Sequence, residues 1–120
     1  MIIESCLKNK SFACTEGSQL RDFLFVEDLN DLILKILKKD KIKSGIYNVG
    51  SSVPIKVKDV INQIINIIRK GKPLFGKLSM RKDESKSLYP KITKIKKTFS
   101  WKPNTNISKG LKKTIKFYEK

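Results

Sequence analysis

The feature that most constrains this chain is a change of hydrophobic period at residue 27. Arg21-Asp22-Phe23-Leu24-Phe25-Val26 is rich in aromatic and branched side chains, which favours extended backbone. From Glu27 onward, Leu29, Leu32, Ile33, Ile36 and Leu37 form one stripe at helical spacing. Glu27 and Asp28 lie at the positive end of that helix's dipole, and Lys38, Lys39 and Lys41 at its negative end. An extended segment running directly into an amphipathic helix is a unit of a mixed α/β fold.

The same alternation continues on both sides. Ile2, Ile3, Cys6 and Leu7 predict a short helix ending near Lys10, and Ser11 to Thr15 a short strand. Lys43-Ser44-Gly45 reads as a turn, Ile46 to Val49 as a short strand, and Pro54 with Ile55 and Val57 as another extended piece. Val60, Ile61, Ile64, Ile65, Ile67 and Ile68 carry a helix to Gly71, a natural left-handed stop. A last strand is expected within Leu74–Met80, a loop over Arg81–Ser87 and a brief helix over Thr93–Phe99. Ser108 is the expected cap of a final helix with Leu111, Thr114, Ile115 and Tyr118 on one face. The helices are many, and the strands are few and short. Because a sheet needs several strands to bury its faces, residues 1–120 read as a single partial domain, part of a larger sheet.

Composition narrows the function classes. No segment approaches the roughly 20 uninterrupted apolar residues of a membrane span, and Met1 to Lys10 lacks the pattern of an export signal, so a cytoplasmic location is expected. Two cysteines and no histidine cannot assemble a four-ligand zinc site of the usual Cys/His kind within one chain, and Cys6 and Cys14 are expected as reduced, partly buried thiols. The net charge of +16 raises the alternative of a small basic protein that binds nucleic acid or an acidic partner. Specific nucleic-acid recognition is disfavoured, since arginine occurs only at 21, 69 and 81 and the lysines are spread along the chain without interleaved aromatics.

Catalytic chemistry has few residues to stand on. The glycines at 17, 45, 50, 71, 76 and 110 never take a G-x-G-x-x-G spacing, no tyrosine is followed by lysine four residues later, and without histidine no Ser-His or Cys-His nucleophile exists. No catalytic residue is therefore expected, and no cofactor is expected to bind this chain alone. Binding chemistry is better supplied: Arg21 and Arg81 lie outside the lysine-rich helical faces, and two guanidiniums converging on one pocket would clamp a diphosphate.

Gln19-Leu20-Arg21-Asp22-Phe23 with Val26-Glu27-Asp28, then Asn48-Val49-Gly50, Arg81-Lys82-Asp83-Glu84 and Trp101-Lys102-Pro103, resemble in order the C-terminal part of one family. That family is the extended short-chain dehydrogenase/reductases acting on nucleotide sugars, the NAD-dependent epimerases and dehydratases. The resemblance implies the substrate-binding part of a Rossmann-type enzyme without its glycine-rich dinucleotide half. It places Arg21 and Arg81 on a substrate diphosphate, Glu84 on the ribose, Val57 against the base and Asn48 in the Asn-x-Gly strand motif. It further implies NAD(P) in the full-length enzyme, partnership with an N-terminal Rossmann half, and a homodimer. Lys82 and Asp83 replace the family's Pro-Gly, Lys91 stands where aspartate is common, and Ser100 replaces the glycine before Trp101.

Overall fold

In the computed structural model, which describes residues 1–120, ten short elements follow one another. They are α1 (Ile2–Leu7), β1 (Ser11–Ala13), β2 (Leu20–Asp22), α2 (Val26–Leu37), β3 (Pro54–Lys56), α3 (Val57–Ile68), β4 (Lys72–Leu74), β5 (Ser87–Leu88), α4 (Thr93–Phe99) and α5 (Ile107–Tyr118). The strands form two small sheets. β1 pairs with β4 in parallel, Ser11 opposite Lys72. β2 is the centre of the other sheet, antiparallel to β3 and parallel to β5, with Arg21 opposite both Ile55 and Leu88.

The mixed α/β reading holds, and the local departures have identifiable causes. Ile46–Val49 forms no strand, because no neighbouring backbone pairs with it. Two side-chain contacts hold the segment instead: Lys94 Nζ donates to the Ile46 carbonyl, and Tyr47 packs edge-on to Phe99 with ring centroids 5.4 Å apart. The strand expected within Leu74–Met80 lies instead at Lys72–Leu74, where β1 supplies its partner, and the chain then turns. α3 stops at Arg69, which takes the left-handed conformation (φ 62°) expected of Gly71. Gly71 does have a positive φ, and it is needed there for a second reason: a Cβ would lie 2.7 Å from Cys6 Sγ. The last helix is capped by Asn106, not Ser108; the Asn106 Oδ1 accepts from Lys109 N at 2.9 Å, whereas Ser108 already lies inside the helix.

Two separate apolar cores hold these elements. Ile3, Cys6, Val60, Ile64 and Ile115 join α1, α3 and α5. Leu32, Ile92, Ile95, Phe99 and Trp101 join α2 and α4. Both cysteines are free and buried, as the composition led one to expect.

The outline is a slab of 50 × 38 × 16 Å with a radius of gyration of 16.8 Å, against about 14 Å for a compact globule of this length. One face of α2 is left bare: Leu32 is buried at 1%, yet Ile33 and Leu37 are 46% and 71% exposed.

Candidate functional site

The central strand β2 organises the site. Its alternation sends Arg21 and Asp22 to opposite faces, and each finds a different partner. Arg21 Nη1 donates to the carbonyls of Leu20 (2.8 Å) and Ser85 (2.9 Å), while Nη2 meets Glu84 Oε1 at 2.9 Å. Both side chains of this ion pair are about four-fifths buried. The fold thus brings Arg21 and Glu84 together across 63 residues of sequence.

Arg81 stands nearby. It lines a concavity of about 490 Å³ together with Glu16, Ser18, Lys82, Glu84 and Lys86. With Glu84 already engaged by Arg21, cations prevail there, so the hollow suits an anion. Lys82 and Asp83 are the central residues of a turn, closed by Glu84 N donating to Arg81 O at 3.1 Å.

Val57 opens α3, half-buried, and its N–H donates to the Gln19 carbonyl at 3.1 Å. The next amide, Lys58 N, donates to Gly17 O at 2.9 Å. Gly17 has φ +71°, and a Cβ there would lie 2.7 Å from Lys58 N, so only glycine lets the chain approach the start of α3 so closely. Gln19 is buried, and its Oε1 has no hydrogen-bond partner. Asn48 is not brought into this group; it is exposed on the unpaired segment before Gly50.

Two acids that sequence reasoning passed over have specific partners. The Asp22 carboxylate accepts from Ser51 N (2.7 Å), Ser52 N (2.6 Å) and Ser51 Oγ (3.0 Å), gripping the turn after Gly50. A Cβ on Gly50 would lie 2.4 Å from Pro90 Cγ and 3.0 Å from Asp22 Oδ1, which gives the glycine of Asn48-Val49-Gly50 a packing reason. Asp28, read from the sequence as a dipole charge, is buried at 3% exposure and accepts from Thr105 N (3.0 Å) and Thr105 Oγ1 (3.2 Å). Its own carbonyl accepts from Trp101 Nε1 at 3.0 Å. The available signal was an acid in the first turn of a helix lacking a side-chain cap, with a Trp-x-Pro-x-Thr segment far downstream to receive it.

No three acidic or cysteine side chains gather as metal ligands would. β2 passes to α2 through Phe23-Leu24-Phe25, β3 runs into α3 without a turn, and β5 reaches α4 through Tyr89-Pro90-Lys91-Ile92, so no strand-to-helix junction here carries the glycines that admit a pyrophosphate.

The family profile described as GDP-mannose 4,6 dehydratase matches residues 1–114. The chain belongs to that family. It is thereby an extended short-chain dehydrogenase/reductase of the nucleotide-sugar epimerase and dehydratase group, as the ordered motifs of residues 19–28, 48–50 and 81–84 implied. It is 31% identical over 118 residues to CDP-abequose synthase of Salmonella typhimurium, covering 94% of this chain and 38% of that protein. It is 34% identical over 107 residues to UDP-glucuronate 4-epimerase of Thermodesulfobacterium geofontis, covering 83% of this chain and 30% of that enzyme.

Solved structures share the fold. MoeE5 in complex with UDP-glucuronic acid and NAD superposes with a TM-score of 0.87 at 19% identity, over 98% of this chain and 40% of that one. UDP-glucose 4-epimerase of Thermotoga maritima, with UDP-glucose, gives 0.86 at 21% identity over 98% and 38%. The chain therefore spans well under half the length of the proteins it matches, and its Rossmann-type α/β architecture is a partial one.

Proposed function

We propose that this chain is the C-terminal, nucleotide-sugar-binding portion of an NAD-dependent epimerase or dehydratase. It holds the substrate's diphosphate and nucleoside, while hydride transfer belongs to a dinucleotide-binding half outside residues 1–120; alone, the chain catalyses nothing. The observation that carries this reading is the Arg21–Glu84 pair set at a cationic hollow that also receives Arg81. Relatives whose names specify UDP-, CDP- and dTDP-sugars support the substrate class.

Two Nη1 bonds to main-chain carbonyls fix the Arg21 guanidinium, leaving Nε and Nη2 to face phosphate oxygens once Glu84 yields. Glu84, released, turns its carboxylate to a ribose hydroxyl. Arg81 closes on the second phosphate, and Val57 offers its methyls to the base. Such fixing orients the sugar for a reaction elsewhere and lowers the entropic cost of reaching a reactive pose. No helix of the chain is long and apolar enough to cross a membrane, consistent with a cytoplasmic enzyme.

Arg21→Ala in the complete enzyme is the test. Sugar-nucleotide affinity should fall at least tenfold, as loss of a charge-assisted contact implies, with NAD affinity within about twofold of the parent. Equal loss of both would refute the assignment. Binding to this chain should also discriminate among nucleoside diphosphates by base, whereas a nonspecific polyanion binder would show only a steep salt dependence.

A further inference from the structure

Toward its C-terminal end the chain carries charge of one sign. Residues 85–118 hold ten lysines, no arginine and no acid. In α5, Lys109, Lys112, Lys113 and Lys116 follow the spacing i, i+3, i+4 and i+7, so they share one face, and all four are exposed. Leu111 and Ile115, on the other side of the helix, enter the core shared with α1 and α3. The fold itself gains little from these lysines. Like charges three and four residues apart repel, and Lys109 stands in the first turn, where a cation opposes the helix dipole. Of the four, only Lys113 has an acid partner, Glu27.

An apolar hollow lies beside this face. It measures about 560 Å³, larger than the concavity that holds Arg81, and the two have no lining residue in common. Phe25, Val26, Phe117 and Tyr118 supply its apolar surface, and Lys113, Lys116 and Lys120 line it as well. Glu27 is the one acid there, already held by Lys113. Val26 is 58% exposed and Phe117 68%. Nothing in the chain covers these two side chains, and ammonium groups surround them.

We propose that the lysine face of α5 and this hollow together dock on an anionic lipid leaflet, with the lysines at the headgroups and Phe117 and Val26 reaching the acyl boundary beside them. The proposal goes beyond the nucleotide-sugar reading and does not rest on it. A helix of this kind lies in the plane of the interface, so its 12 residues need not span anything. Each lysine close to an anionic leaflet strengthens partition by about fivefold. The residue types favour a leaflet over a nucleic acid. Lysine is a flexible point charge suited to laterally mobile headgroups, and the rigid fork of arginine is absent from this face. A duplex would also present phosphates without the apolar layer that Phe117 and Val26 require.

The test measures cosedimentation of the 120-residue chain with vesicles of phosphatidylcholine alone and of phosphatidylcholine with about one-third phosphatidylglycerol, at an ionic strength of about 0.15 M. The parent should partition at least tenfold more strongly, in order of magnitude, to the anionic vesicles. Lys109→Gln with Lys112→Gln and Lys116→Gln should weaken that partition by about a hundredfold, and Phe117→Ser by about tenfold. Arginine at the same three lysine positions should bind as the parent does. Lys91→Gln with Lys96→Gln and Lys97→Gln removes the same charge around α4 and should cost less than about fivefold. Parent binding that is equal on the two kinds of vesicle overturns the proposal. So does an equal loss from the two glutamine triples, since net charge and not this face would then be the attractant, and so does undiminished binding by Phe117→Ser. All the altered side chains are exposed, so lipid-free melts should coincide; a glutamine triple at 109, 112 and 116 that melts well below the parent assigns those lysines to the fold and overturns the role. A DNA duplex that displaces the parent from the vesicles, with the same dependence on Lys109, Lys112 and Lys116, assigns the face to nucleic acid and overturns the lipid. None of these outcomes bears on the concavity that holds Arg81, whose residues are all different.

Discussion

Asp28→Ala should be among the more damaging single changes in this chain, although Asp28 lies outside the proposed site. Its buried carboxylate takes two hydrogen bonds from Thr105, at 3.0 and 3.2 Å, and these fasten the start of α2 to the segment that leads into α5. Hydrogen bonds to a charged group contribute about 1.5–3 kcal/mol each, and removing the acceptor leaves the Thr105 donors to find new partners. Asp28 also sits in the first turn of a helix without a side-chain cap, where a negative charge adds about 0.3–1 kcal/mol. The variant should therefore lose about 3–4 kcal/mol, which for a domain of this size lowers the melting midpoint by about 12–16 °C. Asp28→Asn, which keeps one acceptor oxygen, should lose about half as much. Trp101 is the chain's single tryptophan, is 3% exposed and donates to the Asp28 main-chain carbonyl, so its fluorescence reports on this junction directly. Urea and thermal melts followed at Trp101, with Thr105→Val to complete a double-mutant cycle, would measure the coupling. A midpoint for Asp28→Ala within about 4 °C of the parent would refute the argument that these bonds join the two halves of the slab.

Two further outcomes follow from burial. The Cys6 thiol is fully buried and the Cys14 thiol nearly so; desolvation pushes both pKa values up, offset in part at Cys14 by a hydrogen bond with the Leu74 main chain. Both should therefore react slowly with Ellman's reagent at about pH 8, Cys14 ahead of Cys6, and rapidly in urea. A folded-state pKa above the unfolded one contributes stability that is present below the ordinary thiol range and lost as pH rises through the raised value; stability should fall on the alkaline side, and Cys6→Ser with Cys14→Ser should flatten that slope. Immediate labelling of both thiols in the native chain would contradict this. On α2, the exposed side chains of Ile33 and Leu37 should drive self-association at about 100 μM, which Ile33→Glu with Leu37→Glu should abolish in sedimentation velocity without a large change in melting. A parent chain that sediments as a monomer would count against an adhesive face.

The helices were the most legible part of the chain because their apolar residues repeat over several turns: α2 and α3 each fall within a residue or three of the stretch that the Leu and Ile spacing marks. Strands of three residues leave little periodicity, and their existence depends on a partner that local sequence does not reveal. Ile46–Val49 has strand composition and no partner; Lys72–Leu74 has a lysine and a proline and pairs with β1 all the same. The site divides in the same way. Arg21 and Glu84 were legible as separate motif residues, and only the fold shows that they are an ion pair. The tight contacts at Gly17 and Gly50 were not legible, since they are set by neighbours 28 to 41 residues away (Lys58 for Gly17, Pro90 and Asp22 for Gly50).

The density of roles between Gln19 and Asp28 bears on how any mutational study of this region is read. Within ten residues, Arg21 pairs with Glu84, Asp22 holds Ser51 and Ser52, Glu27 pairs with Lys113, and Asp28 holds Thr105. Three of these four bind the protein to itself at points away from the cationic hollow. Loss of activity on changing Asp22 or Asp28 would therefore say nothing about contact with substrate, because the slab that positions Arg21 would have loosened first. The discriminating quantity is the ratio of effects: a residue facing the ligand changes affinity at constant stability, and a residue fastening the slab changes both. By that criterion Arg21 should separate from Asp22 and Asp28, although all three lie in the same short motif.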